Sequence, residues 1–264
     1  MEKNIKLISI MGYARSGTTF LGTYASHCGE KVFFAGEIDK GIEKYLANRP
    51  SLCSCGESYQ ECPVWSKILP EISKENLNLE FIFEKIHELT GATIIIDSSK
   101  NLEYIKKFKK IFGSNFYTIH LKRNPKGVIL SRMNNRMRRI KAGKHPKPQL
   151  ASKYTLMALY DSLEWSYHNY WMEKVKEKER NLNLTYDSFE TELPEKINSF
   201  FDDMDVSKGD DFLENHVVYG ANGRLNYSKE IKVNKSWRKK LSGYQKGLVN
   251  ISTLPIRSLY GYKF

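Results

Sequence analysis

The segment G-Y-A-R-S-G-T-T at residues 12–19 has the pattern of a phosphate-binding loop. Its two glycines are separated by four residues, a short apolar run precedes it, and a segment with helical spacing follows it. Backbone N–H groups in such a turn converge on an anion, and the N-terminus of the following helix adds favourable partial charge. The sequence therefore predicts that residues 12–19 bind a phosphate group.

This loop lacks the lysine of nucleotide triphosphatases. In those proteins Lys-Ser or Lys-Thr follows the second glycine, so that the lysine reaches the β- and γ-phosphates and the hydroxyl binds magnesium. Here Thr18 occupies the lysine position, and the positive charge is at Arg15, inside the loop. The substitution argues against triphosphate hydrolysis.

A second candidate anion site is H-L-K-R-N-P-K-G-V-I-L-S at residues 120–131. Arg123 stands at the end of a predicted strand, and Ser131 follows eight positions later on the next predicted helix. A guanidinium and a hydroxyl can both donate hydrogen bonds to one phosphate group. Two anion sites on separate strand-to-helix turns match a nucleotide that is phosphorylated at two positions.

In this order, the two motifs resemble those of sulfotransferases that use 3′-phosphoadenosine 5′-phosphosulfate (PAPS), including bacterial, carbohydrate and tyrosylprotein sulfotransferases. The resemblance implies transfer of a sulfuryl group from PAPS to a hydroxyl or amine of an unidentified acceptor, with carbohydrates, lipids and small molecules as candidate classes. The implied ligands of the 5′-phosphosulfate are Arg15, Ser16, Gly17, Thr18 and Thr19. Those of the 3′-phosphate are Arg123, Ser131 and, in G-A-N-G-R at 220–224, Arg224.

The same resemblance suggests the catalytic groups. Glu37 follows the second predicted strand, where tyrosylprotein and some bacterial or carbohydrate sulfotransferases place a glutamate that takes the acceptor's proton. Lys100, in D-S-S-K at 97–100, is implied as a cation near the transferring group, and with Arg15 it would stabilise charge on the leaving nucleotide. His27 is the rival base, because cytosolic small-molecule sulfotransferases use histidine. Asp97 is expected to organise its loop, and the transfer needs no metal.

The elements that must position these residues can also be read from the sequence. Short apolar runs predict buried parallel strands at 5–11, 31–35, 91–97, 115–123 and 183–186. Helices are predicted at 18–28, 102–112 and 156–180, with another ending near residue 88, whereas 206–264 is less regular. The alternation predicts a three-layer, P-loop-like α/β fold with a central parallel sheet flanked by helices. Since ligands bind beyond the carboxyl ends of such strands, Gly12, Glu37, Asp97 and Arg123 are expected to converge on one site.

Length, composition and net charge indicate the number of domains, the charge of the partners and the cellular location. With 264 residues, 41% of them hydrophobic, the chain can bury a core, and we expect a single domain over residues 1–264. The net charge of +12 predicts anionic partners. No window reaches the roughly 20 apolar residues of a membrane span, and residues 1–10 run directly into the loop, so we expect a cytoplasmic protein. Peripheral membrane contact and the oligomeric state stay open.

Two other functions compete with the sulfotransferase interpretation. A P-loop nucleotide-dependent kinase would explain the glycine-rich loop and the Ile-Ile-Ile-Asp run at 94–97, but Thr18 in place of lysine opposes it. A basic nucleic-acid-binding protein would explain the net charge and would bind with a strong dependence on salt. That second alternative leaves Glu37 and both phosphate motifs unexplained, so no nucleic-acid partner is expected.

Three of the four cysteines, Cys53, Cys55 and Cys62, lie close together in the sequence, whereas Cys28 is separate. They can supply thiolates to a zinc ion, with His27 or Cys28 as the fourth ligand, form a disulfide, or stay free. Because Cys-x-Cys-x6-Cys lacks the paired Cys-x2-Cys spacing of common zinc modules, free structural thiols are favoured and no metal is predicted.

Residues 132–153 carry many basic side chains and no acidic one. Gly143, Pro146 and Pro148 prevent one continuous helix over this segment. The segment is interpreted as a lid, as a dock for an acidic acceptor or, preferentially, as a solvated basic loop.

Overall fold

Within the residues that the computed structural model describes, which are 5–144, 149, 154–208, 212–221 and 230–262, five strands form one parallel sheet. The strands are β1 (Lys6–Met11), β2 (Val32–Gly36), β3 (Ile94–Asp97), β4 (Phe116–Lys122) and β5 (Asn181–Thr185). Their order across the sheet is β2-β3-β1-β4-β5, and each pairs in parallel with its neighbours. The predicted central parallel sheet is confirmed.

Helices cover both faces of the sheet. They are α1 (Thr18–Ser26), α2 (Ile38–Leu46), α3 (Trp65–Ile68), α4 (Leu79–Thr90), α5 (Leu102–Phe112), α6 (Pro125–Lys141), α7 (Tyr154–Val175), α8 (Phe189–Asp202), α9 (Trp237–Lys240) and α10 (Gly243–Leu259). Because side chains alternate along a strand, Leu7 packs with α4 and α5 on one face, and Ile8 packs with α1 and α8 on the other. This arrangement confirms the three-layer α/β fold. No helix in the described part of the chain is long and apolar enough to cross a membrane.

Three of the longer helices are not predicted from the sequence. Residues 38–46 form α2, residues 189–202 form α8, and the C-terminal part, expected to be less regular, contains the 17-residue α10. Glycine weakens helical propensity, and α2 contains Gly41, whereas α10 contains Gly247 and Pro255. Tertiary contacts compensate: α2 packs Gly41 closely against Val218, and α10 buries Val249 against α6 and α7. A capping box of Ser242 and Gln245 starts α10.

Segment 212–221 runs beside the edge strand β2 and ends near the carboxyl edge of the sheet. Val218 N–H donates to the carbonyl of Ala35 at 2.8 Å, and Glu37 N–H donates to the carbonyl of Tyr219 at 2.8 Å. The Cβ of any other residue in place of Gly36, whose φ is +89°, would lie 2.5 Å from the Tyr219 carbonyl oxygen. The close approach therefore requires glycine at the end of β2, just before Glu37.

Candidate active site

A cavity of about 540 Å³ opens at the carboxyl edge of the sheet. Most of the residues singled out from the sequence line it, namely Arg15, Gly17, Thr18, Thr19, Glu37, Lys100, Arg123 and Ser131. Ser16 lies beneath the lining and is 1% exposed. Arg224 lies outside the described residues. The structure thus brings the described residues of both predicted anion sites, and the three candidate catalytic side chains of Glu37, Lys100 and Arg15, to one cavity.

The glycine-rich loop has the backbone conformation of an anion-binding turn. Arg15 and Gly17 adopt left-handed φ angles of 74° and 103°. Helix α1 then begins at Thr18 without a side-chain cap and without an acidic residue in its first turn. The N–H groups at this helix terminus, beside the Arg15 cation, fit a phosphate or sulfate group. The residues present therefore suit the anionic end of PAPS.

Arg123 joins the loop to the second motif. Its Nη1 donates to the Arg15 carbonyl at 2.7 Å, and its guanidinium lies 4.0 Å from the centre of the Tyr186 ring. Arg15 Nε in turn donates to Ser131 Oγ at 3.0 Å. Burial lowers the pKa of both guanidinium groups, but arginine stays protonated at any physiological pH. Two positive charges are thereby held next to one another at the cavity wall.

Glu37 and Lys100 form an ion pair inside the cavity. Lys100 Nζ lies 2.6 Å from Glu37 Oε1, and the two side chains are 15% and 14% exposed, respectively. The Lys100 ammonium also donates to the Ser98 carbonyl at 3.3 Å. The pair fixes the direction of both side chains, while the Tyr219 carbonyl holds the backbone of Glu37.

Asp97 lies below this pair and is fully buried. Its Oδ1 accepts hydrogen bonds from the Ile38 N–H at 3.3 Å and from Ser99 Oγ at 2.7 Å, and its Oδ2 accepts from the Ser99 N–H at 2.8 Å. Burial, followed by repulsion from Asp39, raises the pKa of Asp97 to about 7. These contacts agree with the expected role of Asp97 as an organiser of the loops that follow β2 and β3.

His27 is placed differently from Glu37. It follows α1, its Nδ1 lies 2.6 Å from the Thr23 carbonyl, and its ring packs near Phe212. It is not among the described residues that line the cavity. Gly220 and Ala221, of the G-A-N-G-R motif at 220–224, also line the cavity, whereas the sequence reasoning did not assign Tyr186 or Tyr219 to the site. Tyr219 reaches the cavity through the pairing of its segment with β2.

Comparison with known proteins gives the same assignment. The family model of the sulfotransferase domain matches residues 6–246. The chain belongs to the sulfotransferase family. Among solved structures, it is similar to the sulfotransferase domain of the Synechococcus PCC 7002 olefin synthase, with 18% identity, 100% and 97% of the two chains covered and a TM-score of 0.62. The sulfotransferase domain of the curacin biosynthetic pathway has 16% identity, covers 98% of each chain and has a TM-score of 0.58.

Mouse sulfotransferase SULT7A1, whose structure is complexed with PAP, is 12% identical, with 96% and 84% of the two chains covered and a TM-score of 0.58. A search of curated protein sequences returned no match. Family membership makes the chain a PAPS-dependent transferase, whose acceptor is unidentified. The kinase and nucleic-acid-binding alternatives are not favoured.

The residue that clusters with the three neighbouring cysteines of this sulfotransferase is neither His27 nor Cys28, the two fourth ligands considered from the sequence. No disulfide joins Cys53, Cys55 and Cys62. Their sulfur atoms cluster with a ring nitrogen of His216, and neither His27 nor Cys28 belongs to this group. The expectation was wrong because His216 is 154 residues from Cys62 in sequence, and only the pairing of segment 212–221 with β2 brings it near.

Proposed function

We propose that the cavity binds PAPS with its two anionic ends on the two motifs. Arg15, Ser16, Gly17, Thr18 and Thr19 hold the 5′-phosphosulfate through backbone N–H groups, hydroxyls and one guanidinium. Arg123 and Ser131 hold the 3′-phosphate, assisted by Arg224. The observation that carries this proposal is that both motifs, far apart in sequence, line one cavity and are linked there by the hydrogen bond between Arg15 and Ser131.

When bound, PAPS supplies an activated sulfuryl group and leaves as 3′,5′-adenosine bisphosphate. Glu37 accepts the proton of the acceptor's hydroxyl or amine, which it can do only within hydrogen-bond distance of that group. Arg15 and Lys100 stabilise negative charge on the leaving nucleotide, and their fixed positions avoid the cost of reorganisation during transfer. No metal is proposed to take part in this step.

The ion pair between Lys100 and Glu37 supports a coupled role for these two groups. The ammonium, 2.6 Å from Glu37 Oε1, fixes the position of the carboxylate that is to receive the proton. Once Glu37 is protonated, the Lys100 ammonium no longer has a carboxylate charge beside it. Its positive charge then stabilises the negative charge that develops on the leaving nucleotide. The same lysine thus serves the base before transfer and the leaving group during it.

The acceptor reaches the site from the side of α6. The cavity of about 540 Å³ proposed to bind PAPS is called the donor cavity below. A second cavity, of about 320 Å³, is lined by Ala14, Arg15, Arg132, Asn135, Arg136 and Arg139, and it shares Ala14, Arg15 and Asn135 with the donor cavity. Arg132 and Arg136 are held by ion pairs to Asp161 on α7. This basic wall favours an acceptor with negative charge, whether a carbohydrate, a lipid or a small molecule. The single domain over residues 1–264 and a cytoplasmic location stay predictions.

Calorimetric titration with 3′,5′-adenosine bisphosphate, without magnesium, tests the donor site. We expect binding that needs the 3′-phosphate, so that 5′-AMP binds at least tenfold more weakly. Arg123→Ala should weaken the bisphosphate by about 30-fold or more, because it leaves a buried anion without its charged partner, and it should affect 5′-AMP much less. Arg49→Ala, at an exposed position after α2, is the matched control. Binding of ATP with magnesium and no binding of the bisphosphate would contradict the proposal.

A further inference from the structure

Four metal-binding side chains meet away from the donor cavity. They belong to Cys53, Cys55, Cys62 and His216, and their ligand atoms all lie within 4.8 Å of one another. Cys53, Cys62 and His216 are 0%, 0% and 6% exposed. None of the four lines the donor cavity. The cluster is therefore a separate feature that sulfuryl transfer does not explain.

The distances between the ligand atoms of the cluster are close to those in a tetrahedral metal site. His216 Nδ1 lies 3.4 Å from Cys62 Sγ and 3.9 Å from Cys53 Sγ. A tetrahedral Zn²⁺, with Zn–S bonds of about 2.3 Å and a Zn–N bond of about 2.0 Å, separates two sulfurs by about 3.8 Å and sulfur from nitrogen by about 3.5 Å. Small side-chain shifts would therefore bring all four atoms into the zinc coordination sphere.

The surrounding structure aims the four groups at one point. The chain turns sharply at the first two cysteines, where Gly56 N–H donates to the Cys53 carbonyl at 3.1 Å and Cys53 N–H donates to the Glu57 carbonyl at 2.8 Å. Gly56 has a φ of +93°. On the other side, the His216 ring stacks on Phe33 with 6.3 Å between ring centres, which directs Nδ1 toward the sulfurs. Glu214 Oε2 lies 4.0 Å from Nε2, the position where zinc-bound histidines commonly have a carboxylate partner.

Three sulfurs and one imidazole are a soft ligand set that suits Zn²⁺, and four protein ligands leave no position for a substrate. We propose that Cys53, Cys55, Cys62 and His216 bind one structural Zn²⁺ ion. The three thiols bind as thiolates and release their protons to solvent, and His216 binds as the neutral ring through Nδ1. No oxidation or reduction accompanies binding.

Such an ion would fasten loop 53–62 to segment 212–221, whose C-terminal end lines the donor cavity. Ser54 Oγ donates to the Asn215 carbonyl at 2.7 Å, Ser54 N–H donates to the Val217 carbonyl at 3.2 Å, and Trp65 Nε1 donates to the His216 carbonyl at 2.6 Å. Segment 212–221 then continues to Tyr219, which accepts from the backbone of Glu37 and lines the cavity. The ion would therefore hold loop 53–62, segment 212–221 and the backbone of Glu37 in a fixed relation.

The test begins with the metal content of the full chain, purified without an affinity tag or a chelator. Mass spectrometry of the metals should find about one zinc per chain. Cys55→Ser is the most informative variant, because Cys55 is partly exposed and its replacement disturbs the core least. We expect Cys55→Ser, Cys62→Ser and His216→Ala each to lose most of the zinc, and Cys28→Ser, outside the cluster, to keep it.

A second measurement does not depend on the folding of any variant. Wild-type protein stripped of metal by a thiol reagent and a chelator, then reduced, is titrated with Co²⁺ and Zn²⁺. We expect thiolate charge-transfer and tetrahedral ligand-field absorption at one Co²⁺ per chain, displacement by Zn²⁺, and a melting temperature that rises by several degrees with Zn²⁺. A metal-free native protein with no Co²⁺ spectrum, a disulfide between two cluster cysteines in native protein, or equal zinc in wild type and Cys55→Ser would each overturn the proposal.

Discussion

The donor cavity and the cysteine cluster share segment 212–221 but are built in opposite ways. The cavity is open and lined with cations, and its ligands come from loops that directly follow β1, β2, β3 and β4. In the cluster, Cys53, Cys62 and His216 are buried and Cys55 is partly exposed, and the four candidate ligand atoms lie within 4.8 Å of one another. The cations that line the open cavity are available to bind a ligand. The side chains of the cluster would instead bind the proposed Zn²⁺ ion and so hold two parts of the chain together. Changes in the cavity should therefore affect transfer and binding first, and changes around the cluster should affect stability first.

The largest effect on sulfuryl transfer is expected at Glu37. In Glu37→Gln the side chain keeps its size but cannot take a proton, so the turnover rate should fall by about 100-fold or more, while affinity for 3′,5′-adenosine bisphosphate and thermal stability stay close to wild type. Steady-state kinetics and calorimetry measure the two quantities. Glu88→Gln, exposed on α4, should leave both unchanged. Full activity of Glu37→Gln would move the base elsewhere, and His27 would be tested next.

Asp97 tests the comparison between the cavity and the cluster, because it is buried near the donor cavity but should affect stability more than transfer. Its folded-state pKa of about 7 is above its ordinary value of 3.8, so the native state binds more protons between these pH values. Its contribution to the unfolding free energy is therefore fully present below the unfolded pKa and is lost as pH rises through 7. Relative to Asp97→Asn, wild type should lose up to roughly 4 kcal/mol between about pH 4 and pH 7.

Urea unfolding at a series of pH values measures this difference. Asp203→Asn, at an exposed position after α8, serves as the control and should run parallel to wild type. Parallel profiles for wild type and Asp97→Asn would show that the buried carboxyl does not titrate between these pH values.

A comparison of two glycine variants distinguishes the effect of backbone strain on stability from an effect on nucleotide binding. Gly17 and Gly143 both have left-handed φ angles, of 103° and 64°, but an added Cβ would lie 2.9 Å from the Tyr186 ring at Gly17 and would meet nothing within 4 Å at Gly143. Gly17→Ala should lower the unfolding free energy by about 1–3 kcal/mol and weaken the bisphosphate at least tenfold. Gly143→Ala should cost about 1 kcal/mol and leave binding intact. Equal affinities of the two variants would remove the loop from the donor site.

The smallest effect is expected at Asn215, next to the cluster. Its side chain accepts from the Phe34 N–H at 2.7 Å and donates to Ser26 Oγ at 2.8 Å. Asn215→Ala should lower the unfolding free energy by about 1–2 kcal/mol, with a smaller change in nucleotide affinity. Chemical unfolding and calorimetry measure both, with exposed Asn76→Ala as control. A larger loss of affinity than of stability would show that this segment acts mainly on the donor cavity.

Local patterns predicted much of the fold. The strand and helix positions around the glycine-rich loop, and helix α5 in full, could be read because buried parallel strands are continuous apolar runs and amphipathic helices have a 3.6-residue period. Helices α2, α8 and α10 were missed, because the glycines of α2 and α10 and the internal prolines of α8 and α10 oppose helix formation locally. Contacts of α2 with Val218, and of α10 with α6 and α7, stabilise them from elsewhere in the chain.

By itself, the sequence determined the parallel α/β fold, the glycine-rich loop with Arg15 in place of a lysine after the second glycine, and the placement of Glu37, Asp97 and Arg123 at strand ends. These features follow from short-range patterns, since a strand end and the turn after it are adjacent in the chain. Only the tertiary structure decided that Lys100 pairs with Glu37, that Tyr219 enters the cavity and that His216 completes the cysteine cluster. Each of these depends on packing between segments far apart in sequence, and no local pattern encodes such packing.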